Sequence, residues 1–199
     1  MATVIETTRT SEFPPLNSTS NGKRRVRSEE SVNRFLMKNK NYEFVNGKLE
    51  KKNMPNAKHS GVSTRLSAEI WFYLKKNKIG RIYNEAHFQI GADKRVPDVA
   101  FVSADRIPPT GEPEKFWSFA PDLAVEIVSP TDFYQDVLDK IDEYFKAQVK
   151  QVWLINPEKE NLTIYFSFDE TKVLSKTDIL TCEQILPNFR LKLSDIFID

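Results

Sequence analysis

The chain has 199 residues, and its 29 Lys and Arg against 28 Asp and Glu give a formal net charge of +1 at pH 7. That length corresponds to one ordinary domain with a substantial core. The charge balance excludes a histone-like polycation and an acidic disordered chain, while a local basic patch stays compatible with it. The single cysteine, Cys182, excludes a disulfide framework and a cysteine-ligated zinc site, and the two histidines, His59 and His87, are too few for a multi-histidine metal site.

The sequence also lacks the hydrophobic segments of membrane and secreted proteins. No run approaches the roughly 18 consecutive apolar residues of a transmembrane helix, and no secretory apolar segment is present. We therefore expect a cytoplasmic protein with no membrane partner.

Residues 1–27 differ in composition from the rest of the chain. Ser and Thr are frequent in the first twenty residues, Pro14 and Pro15 are adjacent, and a short basic cluster spans Lys23–Arg27. Such a stretch buries too little apolar surface to offset its ordering entropy, so we expect a disordered tail. It is either a solvated linker or an arm that touches phosphate. Residues 28–199 then form the folded domain.

The first predicted elements are a helix and a β-hairpin. Ser28 followed by two acids is typical of a helix start, because the hydroxyl caps backbone N–H groups and the acids suit the helix dipole. That helix should run to about residue 38. Asn46-Gly47 lies between the strand-like runs Tyr42–Val45 and Lys48–Lys52, and both turn residues accept a positive φ.

A second helix is expected after Pro55. Its apolar residues recur every four positions, which predicts one buried stripe, and Gly80 should end it. The members of that stripe are Val62, Leu66, Ile70 and Leu74.

Four strands are predicted next, over residues 81–90, 95–102, 122–128 and 151–155, with a helix at about 132–147. The last three strands are apolar on both faces, as central strands of a covered sheet are. Residues 161–168 and 172–180 indicate an added hairpin or edge, and residues 186–199 close the domain with a short final helix. This order predicts an α/β layered domain.

Two carboxylates interrupt these apolar strands. Asp98 lies in the middle of the 95–102 run, and Glu126 stands alone among the apolar residues of 122–128. A carboxylate in a central strand is costly unless it is paired or binds a cation. If the two strands are neighbours, both acids point to one spot, and two converging oxygen ligands suit Mg²⁺. The alternatives are that Asp98 caps a turn after Pro97, that Glu126 pairs with an arginine such as Arg95, or that either acid lies at a strand end in solvent.

Three other side chains are candidates with ordinary alternatives. Lys140 lies at the edge of the apolar face of the 132–147 helix, where it can reach a buried anion or pair with Asp136. Glu43 sits in the first hairpin arm, where alternation alone would place it on the polar face. His59 lies near the start of the second helix, as a cap or surface residue would, and His87 is expected to face solvent.

These residues resemble the PD-(D/E)XK nuclease superfamily, and most closely its Uma-type restriction-endonuclease branch. The resemblance covers about residues 28–199. The pieces that carry it occur in the same order: Tyr42–Leu49, His59 opening a helix, Arg95–Val99, Pro121–Pro130, Lys140 with Tyr144, Val152–Pro157 and Leu186–Phe189.

The resemblance implies a restriction-endonuclease-like core, with a mixed central sheet flanked by helices after an N-terminal helix and β-hairpin. It implies metal-dependent hydrolysis of DNA phosphodiester bonds, with Asp98 and Glu126 as ligands of Mg²⁺ or Mn²⁺, Glu43 as a further acidic site residue and His59 as a substrate contact. A homodimer is expected, since superfamily members often dimerise to cut both strands.

Two positions depart from the pattern. The usual lysine lies two residues after the second acid, where this chain has Val128. The resemblance to this branch implies that Lys140 on the following helix takes its place. Gln148 stands where the branch tends to have glycine, and a left-handed backbone there would cost on the order of 1 kcal/mol.

Three other functions fit parts of the sequence. A nuclease-like module without turnover would bind nucleic acid or a protein partner, and the neutral charge and Val128 favour it. A sugar hydrolase would use two carboxylates, but no aromatic sugar platform stands out. A structural domain with two strand-end acids would bind no metal.

Overall fold

The computed structural model describes residues 28–130 and 132–198, so the predicted tail of residues 1–27 lies outside the described residues. The helices are α1 (Glu29–Lys38), α2 (Ala57–Asn77) and α3 (Tyr134–Lys146). The strands are β1 (Tyr42–Val45), β2 (Lys48–Lys51), β3 (Gly80–Asn84), β4 (Phe88–Ile90), β5 (Asp93–Arg95), β6 (Val99–Ser103), β7 (Leu123–Ile127), β8 (Gln151–Asn156), β9 (Asn161–Tyr165), β10 (Thr171–Ser175), β11 (Ile179–Cys182) and β12 (Leu186–Lys192). None of the described helices is long and apolar enough to cross a membrane.

The strands form a mixed central sheet and two smaller ones. The central sheet has the order β10-β9-β8-β7-β6-β3, a second sheet has the order β2-β1-β5-β4, and β11 pairs with β12. In the central sheet β7 and β8 are parallel, and the other neighbours are antiparallel. Helix α3 makes the crossover that a parallel pair requires. The predicted mixed α/β fold is thus confirmed.

The central strands are apolar on both faces because helices cover both. The predicted stripe of α2 packs in one core with Phe101 and Val125, which belong to β6 and β7. Ala100 and Ala124, the alternate residues of the same strands, pack on the other side with Ile141 of α3. Successive side chains of a strand point to opposite faces, so one pair of strands serves both cores.

The predicted N-terminal helix and hairpin are also confirmed. Ser28 caps α1 by accepting a hydrogen bond from the Ser31 backbone N–H at 3.3 Å. Asn46 and Gly47 turn the hairpin with positive φ values of 49° and 77°.

Gly80 does not end α2 as expected. The helix ends at Asn77, and Lys78 follows in the left-handed conformation with φ of 53°. Gly80 instead begins β3, where a Cβ atom would lie 2.4 Å from the Phe101 ring and from the Val102 carbonyl oxygen. This glycine is required by close packing and not by a helix C-terminus.

Three predicted segments are divided in the structure. Residues 81–90 become β3 and β4, with Glu85 at φ of 50° between them. Residues 95–102 become the end of β5 and most of β6, so Asp98 lies in a bend just before a strand. Residues 172–180 contribute to β10 and β11, and the chain closes with β12 and a 3-10 turn at Leu193–Asp195.

Candidate active site

The two strand carboxylates meet at the junction of β6 and β7. These strands pair with Val99 opposite Val125 and Ala100 opposite Ala124, and Asp98 and Glu126 are the next residues beyond the Val99–Val125 pair. Both residues are buried, at 5% and 8% exposed. The adjacency that the sequence argument required is therefore present. Both acids line one cavity of about 660 Å³, together with Glu43, His59 and Lys140.

The Asp98 carboxylate accepts hydrogen bonds through both oxygens. Oδ2 accepts from the Ile127 backbone N–H at 2.7 Å and lies 3.1 Å from His59 Nε2. Oδ1 accepts from Lys52 Nζ at 3.0 Å. Burial acts to raise the pKa of Asp98, but Lys52 and His59 hold it well below its usual range. Asp98 is therefore ionised and anchored to the backbone of β7.

Glu126 points toward α3. Its Oε1 accepts from the Tyr144 hydroxyl at 2.6 Å, and its Oε2 accepts from Lys140 Nζ at 2.9 Å. Burial raises the pKa of Glu126, and the positive charge of Lys140 opposes that rise. The negative charges of Asp98 and Glu43 raise the pKa further. A further cation beside this carboxylate would relieve the repulsion between the acids.

Glu43 belongs to this cluster and not to the polar face of the hairpin. Its Oε1 accepts from the Val96 backbone N–H at 2.7 Å, and its Oε2 accepts from Arg95 Nη1 at 3.0 Å. Burial acts to raise its pKa, but Lys140, Lys52 and Arg95 lower it to about 2. The hairpin therefore delivers a charged carboxylate into the interior.

Lys140 lies between Glu126 and Glu43 and contacts both carboxylates. Its Nζ is 2.9 Å from Glu126 and 3.2 Å from Glu43, and its side chain is 13% exposed. Burial acts to lower the pKa of Lys140, but Glu126, Glu43 and Asp98 raise it. The structure thus gives Lys140 these two partners instead of the alternative Asp136.

The two histidines have different surroundings. His59 is the third residue of α2; it faces Asp98 through Nε2, and its buried Nδ1 has no hydrogen-bond partner among the described residues. Burial acts to lower the pKa of His59, but Asp98 raises it. The expectation that His87 faces solvent is wrong, because it is 7% exposed and its Nε2 lies 2.9 Å from the Tyr42 carbonyl oxygen.

Sequence reasoning missed Lys52, offered Arg95 as a partner of Glu126 and left the Tyr144 hydroxyl without a role. Arg95 joins Glu43 to Glu143, with contacts of 3.0 and 2.7 Å, and Lys52 reaches Asp98. Tyr144 was named beside Lys140 in the family resemblance; its ring lies in the core, and its hydroxyl donates to Glu126. The spacing of Lys140 and Tyr144, four apart on one helix, was the available signal.

The donor set fits a hard divalent cation held by few protein ligands. Within residues 28–130 and 132–198, no three His, Cys, Asp or Glu side chains are arranged to hold a metal. Two carboxylates suffice for Mg²⁺, which keeps most of its waters. Seven acidic and five basic side chains line the cavity, so with neutral histidine its formal charge is −2, which one divalent cation balances.

Comparisons with known proteins agree with the fold and indicate a family. The model of the Uma2 family, described as "Putative restriction endonuclease", matches residues 30–194. A crystal structure described as "a putative nuclease belonging to DUF820", from Anabaena variabilis ATCC 29413, is 28% identical with a TM-score of 0.72. The match covers 78% of this chain and 89% of that one. No curated protein matched the sequence.

Proposed function

The chain belongs to the Uma2 restriction-endonuclease family, and from that premise we propose that it is a metal-dependent endonuclease that hydrolyses DNA phosphodiester bonds. The observation that carries the proposal is that Asp98 and Glu126 line one cavity, with Asp98 hydrogen-bonded to the backbone N–H that follows Glu126 and with Lys140 Nζ 2.9 Å from Glu126. Two adjacent carboxylates with a lysine beside them are suited to metal-assisted phosphoryl chemistry.

In this proposal Asp98 and Glu126 hold Mg²⁺, with Mn²⁺ as a substitute. The ion would polarise a phosphate oxygen and lower the pKa of a bound water. The excess of acids in the cavity supports a requirement for the cation, because without it the cavity would repel a polyanionic substrate.

Lys140 supplies the positive charge that the reacting phosphate needs. Glu43 contacts Lys140 at 3.2 Å and is itself fixed by Arg95 at 3.0 Å, so the ammonium group is oriented before substrate arrives. Such a preorganised charge stabilises the transition state more than a mobile one. Lys140 thereby replaces the lysine that the family pattern would place at Val128.

His59 is proposed as the substrate contact. Its ring lines the cavity beside Asp98, 3.1 Å from that carboxylate through Nε2, so a phosphate oxygen bound next to Asp98 would lie close to the imidazole. A homodimer would place two such sites on the two strands of a duplex, and two-fold dimers are the commonest soluble oligomers.

The test is a calorimetric titration of the full chain with Mg²⁺ and Mn²⁺, followed by incubation of the same samples with plasmid DNA. The variant is Asp98→Asn with Glu126→Gln. The matched control is Glu50→Gln with Asp136→Asn, which removes the same charge from two exposed acids that line the same cavity. We expect binding and cleavage in the wild type and the control, and neither in the site variant.

Two results would overturn the proposal. Folded wild type that binds no divalent cation and still binds DNA would identify a nuclease-like module without turnover. Metal binding that survives in the Asp98/Glu126 variant would place the ion elsewhere. Sedimentation of the metal-loaded protein with a short duplex tests the dimer separately.

A further inference from the structure

Lys52 occupies a position that nothing in the family pattern assigns. It follows β2, and its backbone N–H donates to the Asn41 carbonyl oxygen at 2.9 Å, which fixes its main chain. Its Nζ donates to Asp98 Oδ1 at 3.0 Å and to the Val96 carbonyl oxygen at 2.6 Å. Hard divalent cations also prefer carboxylate and carbonyl oxygens as ligands. The ammonium group is therefore seated where a metal would find its ligands.

Lys52 differs from Lys140 in how firmly it is held. Lys140 lies between two carboxylates and has a side chain 13% exposed, whereas Lys52 contacts one carboxylate and has a side chain 21% exposed. Both line the cavity, but Lys140 belongs to a helix, whereas Lys52 directly follows β2, the edge strand of its sheet. A four-carbon stem with an open cavity beside it gives the Lys52 ammonium group a hydrated position to move into.

We propose that Lys52 is a displaceable internal counter-ion that competes with the divalent cation for Asp98. This rests on the proposed function, in which Asp98 is a metal ligand. In the metal-free protein the ammonium group neutralises the buried carboxylate, which would otherwise be costly. When the cation binds, Lys52 withdraws into the cavity, because two positive groups on one carboxylate repel each other. The metal affinity of the site is thus held below what its acids alone would give.

The first test is calorimetric titration with Mg²⁺ and Mn²⁺ in the absence of DNA. Lys52→Met should bind either ion about tenfold more tightly than wild type, because a positive charge next to a ligand is gone. Lys52→Arg keeps the charge and should restore wild-type affinity to within about twofold. Lys48→Met removes the same charge from an exposed position on the same hairpin outside the cavity, and should leave the affinity unchanged.

The sign of the effect separates competition from structural damage. A loosened site would bind metal less tightly, so equal or weaker binding by folded Lys52→Met overturns the inference. If wild type and Lys52→Met both bind no metal, the proposed function fails with it. If both bind equally, the proposed function stands and only the role of Lys52 is wrong.

A second measurement uses the wild-type chain and does not depend on the variant folding. The protein is acetylated with a small anhydride, and the modification of each lysine is measured by mass spectrometry. One sample contains saturating Mn²⁺, and the metal-free control contains a choline salt at the same ionic strength. The reactivity of Lys52 should rise when Mn²⁺ releases its ammonium group, while that of exposed Lys48 should stay constant. Reactivity of Lys52 that is unchanged or lower with Mn²⁺ would contradict displacement.

Discussion

Gln148 occupies a backbone conformation that suits glycine. Its φ is 66°, and its side chain is exposed. It lies in the short connection between α3 and β8. A non-glycine residue in this region has a steric cost between its Cβ atom and the carbonyl oxygen. Gln148→Gly should therefore raise the free energy of unfolding by about 1 kcal/mol, as measured by urea denaturation.

A matched control for Gln148 lies in the same part of the chain. Gln135 is an exposed residue of α3, where its side chain donates to Asp139 at 2.8 Å. Gln135→Gly should lower the free energy of unfolding by about 1 kcal/mol, because glycine is a poor helix former. Destabilisation by Gln148→Gly as well would show that its side chain contributes more than its backbone conformation costs.

Single residues could be predicted where they break a pattern. Asp98 and Glu126 stood out because they interrupt apolar runs, and Lys140 because it borders an apolar stripe. Lys52 did not stand out, because it is one of several charged residues in its hairpin and its partner Asp98 is 46 positions away. Arg95 was offered as a partner of Glu126, but its partners are Glu43 and Glu143, which are 52 and 48 positions away. Nothing local marks a contact of that kind.

Helix α3 brings Lys140 and Tyr144 to the site. Lys140 and Tyr144 lie four residues apart and both reach Glu126, at 2.9 and 2.6 Å. Replacing Lys140 by Met should lower DNA cleavage by about 100-fold, since a preorganised charge of this kind contributes that much. Mn²⁺ binding should persist in the variant, because the carboxylates of Asp98 and Glu126 remain. Cleavage assays and calorimetry on one preparation separate the two effects.

Lys146→Met is the control for this helix. Lys146 is in the last turn of α3, its side chain is 73% exposed, and its ion pair is with Asp142 on the surface. Cleavage by this variant should equal that of wild type. Full cleavage by folded Lys140→Met would instead show that Lys140 is a structural counter-ion for Glu126 and Glu43.

Elements with a strong local signal were predicted well, and those set by tertiary contacts were not. The Asn46-Gly47 turn and the stripe of α2 depend on residues close in sequence. The division of residues 81–90 depends on Glu85 with φ of 50°, a conformation that glutamate does not signal. His87 was misjudged for a similar reason, since alternation cannot show that the Tyr42 carbonyl oxygen and the Phe116 ring lie against it.

Across the whole molecule, the buried acids make stability depend on pH. Glu43 has an ordinary pKa of 4.5 that Lys140, Lys52 and Arg95 lower to about 2 against the effect of burial. A carboxyl group whose pKa is lower in the folded than in the unfolded state stabilises the fold fully at pH values above its unfolded pKa. That stabilisation is lost as the pH falls through its folded pKa. The free energy of unfolding should therefore fall between about pH 4.5 and pH 2, as measured by urea denaturation at each pH.

Glu43→Gln should flatten this dependence. The variant should be less stable than wild type at pH 7, because Arg95 and Lys140 lose a charged partner, and the difference should shrink as the pH approaches 2. Glu50→Gln removes an exposed carboxyl from the same hairpin and should follow the wild-type curve. A constant difference between Glu43→Gln and wild type across this range would mean that the charge of Glu43 contributes nothing to stability.

The central position of β7 has a consequence for protein synthesis. The strand that carries Glu126 lies between β6 and β8, and β8 begins only at Gln151, after every side chain of the site has been made. A nascent chain that ends before this residue leaves one side of β7 without its hydrogen-bonding neighbour. Domains fold as their segments leave the ribosome, so the site is assembled only when β8 has emerged. A chain whose translation stops earlier contains all of these charged groups but not the sheet that aligns them.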